Sequence, residues 1–369
     1  MIGEKYFWST NLRKKENNMK KQINNGFNRL YAFGDKSLID LSLSENPLGC
    51  SKLVKKRLRS IIPKLNDYPD PRKTRLKKAL AEKFSLKADS FFIGNGSESI
   101  IIDLARVFLA QGDGVIIPKL TFPMFKIASE LTGAVVVESE MTDDLEISLD
   151  SILEKITTKT KMIFICNPNN PTGNVISRLR LVKFLKSVPK KVIIVLDEAN
   201  IEFDGTSLIN EVKKFKNLVV LRTFSKGFGL AALRIGFCVA SDGIINLLSA
   251  CTQPFPVSSI SEELAIVALD DQAFLNKTKD FIFSQSKIMR RELELLGFKV
   301  FPSKSNNLFV RIPNNFDKNE FSNKLKNENI SIVKGSNFSG FDDSFFRVSQ
   351  RGIFINKLFI KKIKSIVGN

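Results

Sequence analysis

Between residues 90 and 240 the chain repeats one pattern: a short, nearly continuous apolar run, then a stretch long enough for a helix. The runs are FFIG, GVIIP, AVVVE, MIFIC, KVIIVLDE, NLVVLRTF and RIGFCVA. They do not alternate apolar with polar residues, so both faces of the sheet they form must be covered. Intervening stretches such as SESIIIDLARVFLAQG have the length and apolar spacing of a crossover helix. The expected fold class is therefore α/β, with a large domain built on a mostly parallel seven-stranded sheet covered by helices. One gap is too short for that rule. About nine residues separate NLVVLRTF from RIGFCVA, whereas a parallel crossover needs a dozen or more, so one strand is expected to run antiparallel.

The pattern changes at Gln253-Pro-Phe-Pro256. A long helical region is expected from about Ser258 to Leu296, then three strand candidates, FKVFPSKSNNLFVRI, ISIVKG and FFRVSQ. The chain ends in a basic amphipathic helix with Ile355, Leu358, Phe359, Ile363 and Ile366 on one face. A chain of 369 residues suits one large domain with a smaller partner. The expected division is a basic N-terminal extension over 1–40, a cofactor-binding domain over 41–255 whose first part packs with the small domain, and a small α+β domain over 256–369.

Lysine plus arginine total 57 against 38 acids, a net charge of +19. The basic residues are spread along the chain and belong to no recognisable nucleic-acid module, so attraction of an anionic small substrate is the better use of the field. The chain has no histidine, and Cys50, Cys166, Cys238 and Cys251 lack C-x-x-C spacing, so no metal site is expected and Ser-His-Asp or Cys-His catalysis is impossible. Proton transfers then fall to Lys, Asp, Glu, Tyr, Cys or a cofactor. The first 20 residues contain no continuous apolar segment of a secretory signal, and runs such as VIIVL fall far short of a membrane span. A cytoplasmic protein without membrane or nucleic-acid partners is expected, with Met19 a possible alternative start.

In open α/β sheets ligands bind beyond the carboxyl ends of the strands. Three such ends carry polar groups: Asn167-Pro-Asn-Asn170-Pro171-Thr-Gly173, Asp197-Glu198-Ala-Asn200, and Thr223-Phe-Ser225-Lys226. The last leads into Gly227-Phe-Gly229-Leu-Ala-Ala232, on paper a dinucleotide fingerprint. That reading fails on context, since no crossover helix fits and no acid lies near 20 residues beyond it. The glycines are expected instead to let the backbone pass close beside a cofactor.

NPNNPTG, DEA and TFSKGFGLAALRIGF, in this order, closely resemble the fold-type I pyridoxal-phosphate aminotransferases. LSLSENPLG, NDYPDP, GNGSES and FFRVS extend the resemblance to the class II branch that includes histidinol-phosphate aminotransferase, from Leu41 to the C-terminus. The resemblance implies pyridoxal 5'-phosphate as cofactor and amino transfer as reaction. Lys226 would bond the cofactor aldehyde and then move the substrate's Cα proton. Asp197 would pair with the pyridinium nitrogen, Asn170 with the ring's 3'-oxygen, and Phe122 would stack on the ring. The phosphate would be held by Thr223 and Ser225, by Arg234, and by backbone N–H groups at Ser97 and Glu98, where a helix begins. Tyr68 would reach the cofactor of a second subunit, implying a homodimer with shared sites. Arg347 and Asn46 would contact substrate, Arg347 by gripping an anionic group.

Three positions depart from the family pattern. Asn200 stands where a tyrosine is usual, Ser97-Glu98-Ser99 replaces the usual GSDE, and Arg351 occupies a position where a small neutral residue is expected, as an added anion contact or a surface charge. The implied substrates are histidinol phosphate or a similar amino compound and a 2-oxo acid such as 2-oxoglutarate. The alternative is a decarboxylase resembling threonine-phosphate decarboxylase, which uses the same cofactor site.

Overall fold

The computed structural model describes residues 39–62 and 66–368. After β1 (Ile39–Asp40) come α1 (Lys52–Ile61), α2 (Thr74–Phe84), β2 (Phe91–Gly94), α3 (Gly96–Phe108), β3 (Gly114–Pro118), α4 (Met124–Glu130) and β4 (Val135–Ser139). They are followed by α5 (Leu149–Glu154), β5 (Thr160–Cys166), α6 (Arg178–Ser187), β6 (Ile193–Asp197), β7 (Leu218–Thr223), β8 (Gly236–Val239) and α7 (Asp242–Cys251). All seven apolar runs enter one sheet, in the order β2-β8-β7-β6-β5-β3-β4. Its pairs are parallel except those of β8, which runs antiparallel to both β7 and β2. The short gap before β8 therefore sets its direction.

The lack of alternation in the runs has the expected cause. Along β5, Ile163 and Ile165 enter the core on one face of the sheet, while Met162, Phe164 and Cys166 enter the core on the other. Polar residues are deferred to the strand ends.

The C-terminal third contains α8 (Ser259–Asp270), α9 (Gln272–Leu295), β9 (Lys299–Val300), β10 (Asn307–Arg311), α10 (Lys318–Asn327), β11 (Ile330–Ser331), β12 (Val333–Lys334), β13 (Phe345–Ser349) and α11 (Ile353–Val367). The helical region expected from Ser258 to Leu296 is two helices. Asp271 separates them and caps the second, its carboxylate accepting from the Phe274 N–H at 3.0 Å. FKVFPSKSNNLFVRI folds back on itself as the antiparallel pair β9–β10. ISIVKG splits between sheets: β11 pairs in parallel with β1, and β12 joins a four-stranded sheet ordered β12-β13-β10-β9.

Core membership changes within α9. Leu264, Ala265, Ala268 and Leu269 of α8 and Leu275 of α9 belong to the large-domain core, whereas Met289 and Leu293 join Phe298, Phe346, Phe359 and Ile363 in the small one. The change of texture near residue 256 thus precedes the handover between cores. Ile39 and Leu41 are also part of the small core, so the chain enters there before building the large domain. Apart from Ile39 and Asp40, the extension expected over 1–40 lies outside the described residues. Among the described residues no helix is long and apolar enough to cross a membrane.

Candidate active site

A cavity of about 630 Å³ opens where β5, β6 and β7 end, within the usual size of a small-molecule site. Its large-domain wall includes Ser97, Glu98, Phe122, Asn170, Asp197, Asn200, Thr223, Ser225, Lys226 and Arg234. Leu43, Ser44 and Glu45 and, from the small domain, Val333, Asn337, Phe338 and Arg347 complete it.

Asp197 ends β6 and is 3 % exposed. Its Oδ1 accepts from the Ala199 N–H at 2.9 Å. Burial pushes the carboxyl up to about 6, against the Ala199 amide and the nearby Lys226 ammonium, which favour the charged form. Burial acts on Lys226 in the opposite direction, lowering the amine to about 8; the guanidinium groups of Arg347 and Arg234 add to this, and Asp197 and Glu45 oppose it. An amine with reduced proton affinity, facing a carboxylate across a cavity, can attack a carbonyl and then shuttle a proton.

The loop carrying Lys226 is closed by backbone bonds from Gly229 N–H to Lys226 C=O at 3.0 Å and from Leu230 N–H to Phe224 C=O at 3.0 Å. Its glycines were expected to let the backbone pass close beside a cofactor; within the chain it is protein that approaches them. A Cβ on Gly229, whose φ is +72°, would sit 2.0 Å from the Gly49 carbonyl oxygen, and one on Gly227 would sit 2.6 Å from the Glu202 Cβ. They are glycines because two protein segments press against this loop. Asn46 belongs to that support. Its Nδ2 donates to the Gly227 carbonyl at 2.8 Å and to Thr278 Oγ1 at 3.2 Å, and its Oδ1 accepts from the Leu48 N–H at 2.9 Å. Asn46 is therefore engaged by protein and does not line the cavity where substrate contact was expected.

The other end of the cavity is an anion cradle. A Cβ on Gly96, φ +81°, would lie 2.8 Å from Arg234 Nη2, and one on Gly236 would lie 2.6 Å from the Ser97 nitrogen. Two glycines thus bring the α3 N-terminus and the Arg234 guanidinium together. Arg234 Nη1 donates to Ser225 Oγ at 3.4 Å, Thr223 Oγ1 donates to Ser225 Oγ at 3.1 Å, and Arg234 Nη2 is 3.8 Å from Glu98 Oε2. Helix-end amides, two hydroxyls and a guanidinium form a donor set suited to a phosphate.

Arg347, on β13, bridges the walls. Its Nη1 donates to Asn170 Oδ1 at 2.8 Å and its Nη2 donates to the Ser42 carbonyl. With Oδ1 of Asn170 occupied, that side chain offers the cavity its Nδ2 donor. Phe122 lies edge-on to Phe125, ring centroids 5.7 Å apart, and gives the cavity an aromatic surface. Asn200 is 5 % exposed, and its Oδ1 has no hydrogen-bond partner among the described residues. Asn200 lines the cavity, and an unpartnered buried acceptor on such a residue is a position for a ligand donor.

Tyr68 lies elsewhere: 86 % exposed, it is no part of the cavity, and its ring rests on Phe255 at 5.1 Å. Arg351 is neither a lone surface charge nor a contributor to the cavity lining. It pairs with Glu45, which does line the cavity. The sequence reading also missed Cys166, Phe338, and the buried ion cluster of Glu198, Glu202 and Arg222. A signal for the cluster was present, since Arg222 interrupts a buried run and a guanidinium there requires acids nearby.

The donor sets fit pyridoxal 5'-phosphate: a cradle for its phosphate, a reactive amine for its aldehyde, a carboxylate for its ring nitrogen, and the amide Nδ2 donors of Asn170 and Asn200 for its ring oxygen.

Residues 36–352 match the family model of aminotransferase class I and II, and the chain belongs to that family. It is a transferase of the amino-transferring type. Among its relatives is the histidinol-phosphate aminotransferase of Caldicellulosiruptor saccharolyticus, 34% identical over 341 residues that cover 90% of this chain and 93% of that one. The solved histidinol-phosphate aminotransferase of Sinorhizobium meliloti, in complex with pyridoxal-5'-phosphate, superposes with a TM-score of 0.84 at 24% identity, covering 90% of this chain and 92% of that chain. The L-threonine-O-3-phosphate decarboxylase of Porphyromonas gingivalis shares the fold more distantly, with a TM-score of 0.77 at 22% identity over 90% of this chain and all of that one (100%).

Proposed function

We propose that the cavity binds pyridoxal 5'-phosphate and that the protein moves an amino group from histidinol phosphate, or a closely similar phosphorylated amino compound, to a 2-oxo acid such as 2-oxoglutarate. One observation carries this reading: the Lys226 amine and the Asp197 carboxylate, both displaced by burial toward neutrality, share one cavity with the cradle of Ser97, Thr223, Ser225 and Arg234. When bound, the cofactor supplies an aldehyde that takes up the amino group and a ring that withdraws electrons from the substrate's Cα–H bond. Lys226 removes and returns the Cα proton. Asp197 holds a proton at the ring nitrogen. Arg234, Ser225, Thr223 and the α3 amides at Ser97 and Glu98 would hold the phosphate, while Asn170 and Asn200 would donate from Nδ2 to the ring's oxygen and Phe122 would cover the ring. Arg347 grips the carboxylate of the acceptor or the phosphate of the donor, since its planar fork suits both.

The likeness to the curated relatives over nine-tenths of both chains supports histidinol phosphate as donor. The exposed aromatic pair of Tyr68 and Phe255 supports a homodimer in which Tyr68 reaches the second subunit's cofactor. Four free cysteines suit a reducing compartment such as the cytoplasm.

The test is a single-turnover assay of the purified holoenzyme with a panel of amino donors. Histidinol phosphate is expected to give one oxo product per site without an acceptor, and Lys226→Ala to lower turnover by at least about four orders of magnitude. Release of carbon dioxide from a carboxylated donor without any need for an oxo acid would overturn amino transfer.

A further inference from the structure

The ion cluster of Glu198, Glu202 and Arg222 is not used by the proposed function, although it adjoins both Asp197 and the Lys226 loop. Arg222 is the residue before Thr223 and is 8 % exposed. Its Nη2 donates to Glu202 Oε1 at 2.6 Å, and its Nη1 donates to Glu198 Oε2 and Ser207 Oγ, each at 3.3 Å. Phe84 covers the guanidinium at 5.5 Å. Glu198 is fully buried, its Oε1 accepting from the Leu208 N–H at 2.7 Å and its Oε2 from the Ser207 hydroxyl at 2.5 Å.

Burying two carboxylates and a guanidinium is expensive, and well-packed apolar residues of similar volume are commonly as stable or more so. Apolar residues would not supply direction, however. Both carboxylates belong to the loop that begins at Asp197 and includes Asn200. The arginine belongs to the strand that feeds the Lys226 loop. The connection continues through packing, because the Glu202 Cβ occupies the space against Gly227, the residue after Lys226. Asn46 Nδ2 holds the Gly227 carbonyl at 2.8 Å. A shift of Glu202 is therefore transmitted directly to the backbone that bears the Lys226 side chain.

We propose that Arg222 is a positioning residue: its two-armed guanidinium fastens the loop carrying Asp197 and Asn200 to the loop carrying Ser225 and Lys226, and so fixes the placement of the reactive amine relative to the carboxylate across the cavity. This inference rests on the cofactor and reaction proposed above. It concerns placement alone, because neither Arg222 nor Glu202 lines the cavity.

Arg222→Lys keeps the charge but replaces a fork by a point charge that reaches one carboxylate at a time. Glu202→Gln keeps the size and removes the charge from the other end of the fork. Both variants are compared with the native holoenzyme at equal cofactor occupancy, reading kcat, KM, the induced circular dichroism of the visible cofactor band, and the melting temperature. Displacement of the amine is expected to lower kcat by about 10- to 100-fold with KM nearly unchanged. The induced circular dichroism is expected to lose most of its amplitude. A purely structural cluster would lower the melting temperature and leave kcat per occupied site and the dichroic band at native values, and that result overturns the proposal. If Arg222→Lys does not fold, native kcat and dichroism in Glu202→Gln overturn it equally. A native protein that binds no pyridoxal phosphate would instead overturn the reading of the site, and the inference with it.

Discussion

The two walls of the cavity are built differently. The wall bearing Asp197, Thr223, Ser225 and Lys226 grows from adjacent strands of one sheet, with Cys166 beside Asp197 and Asp197 beside Leu221 in register. Backbone hydrogen bonds hold it, and its side chains project from strand ends a few residues apart. The facing wall belongs to the small domain and meets the large one through an apolar cluster of Leu120, Phe301, Phe309, Val333 and Phe338, a backbone bond from the Lys304 N–H to the Gly173 carbonyl at 2.8 Å, and side-chain links. Arg347 bonds Asn170, and Ser339 donates to Glu138 Oε2 at 2.7 Å beside the segment carrying Asn337 and Phe338. Glu138 in turn accepts from Lys126 on α4 at 2.9 Å. These contacts lie outside the main core of either domain, so they can shift while both cores stay intact. The sheet wall therefore suits steps that demand fixed geometry, and the small-domain wall suits admission and selection of substrates. Changes in the first should lower kcat, and changes in the second should raise KM.

Asp197→Asn is the strongest test of the sheet wall. Loss of the ionised partner is expected to lower kcat by about 10²- to 10³-fold, equivalent to about 2.7–4 kcal/mol of transition-state stabilisation. The same substitution should stabilise the cofactor-free protein. The Asp197 carboxyl is raised from 3.8 to about 6 by burial, so between those values the folded protein holds a proton that the unfolded chain has released. Stability contributed by this group is unaffected below about pH 4, falls as pH rises through the window, and is lower by roughly 3 kcal/mol above about pH 6. Urea unfolding of the apo proteins should show Asp197→Asn more stable than native at pH 7, with the gap closing toward pH 4. A gap independent of pH would show that the buried carboxylate is not the cause.

Arg347→Lys addresses the other wall. A lysine offers one point charge in place of the fork that spans Asn170, the Ser42 carbonyl and an incoming anion. Loss of a charged hydrogen bond is worth about 1.5–3 kcal/mol, so KM for the 2-oxo acid should rise by roughly 10- to 100-fold while kcat changes much less. Steady-state kinetics on both substrates decide it. A fall in kcat as large as that of Asp197→Asn, with KM unchanged, would erase the distinction between the walls.

The contrast between the walls also explains what could be read in the sequence. Every strand of the large sheet is visible as an apolar run, and several polar residues at the ends of β5, β6 and β7 line the cavity because strand ends fix their place. Lys226 and Asp197 were legible in the cavity wall for that reason, and Arg234 because it interrupts the apolar run that leads into β8. The surroundings of Asn46 and Tyr68 were not legible, because distant segments set them: Gly227 and Thr278 for the first, Phe255 for the second. Glu45 and Arg351 lie 306 positions apart, and neither carries a local sign of the other. The glycines of the Lys226 loop were recognised as sites of close approach, yet which neighbour approaches is a tertiary fact. ISIVKG shows the same limit on a smaller scale, since five consecutive residues serve two sheets whose partners come from opposite ends of the chain.

The smallest expected effect concerns Asn200, the member of the sheet wall that departs from the family pattern. Its buried Oδ1 has no partner among the described residues, and its amide cannot ionise at any accessible pH. A phenol at this position is a more acidic donor, and a hydrogen bond to the charged form of a titrating group favours that form. Asn200→Tyr should therefore move the pH midpoint of the holoenzyme's visible absorbance downward, by about one unit, while the anchoring residues Arg234, Ser225 and Thr223 keep the cofactor in place. Turnover should change by less than about 10-fold, because Lys226 and Asp197 retain their positions on the sheet. Superimposable titration curves for the native protein and Asn200→Tyr would show that this side chain does not reach the cofactor's titrating group. The sheet wall would then hold one residue fewer than its geometry suggests, and the unpartnered amide would have to be explained by a contact with substrate instead.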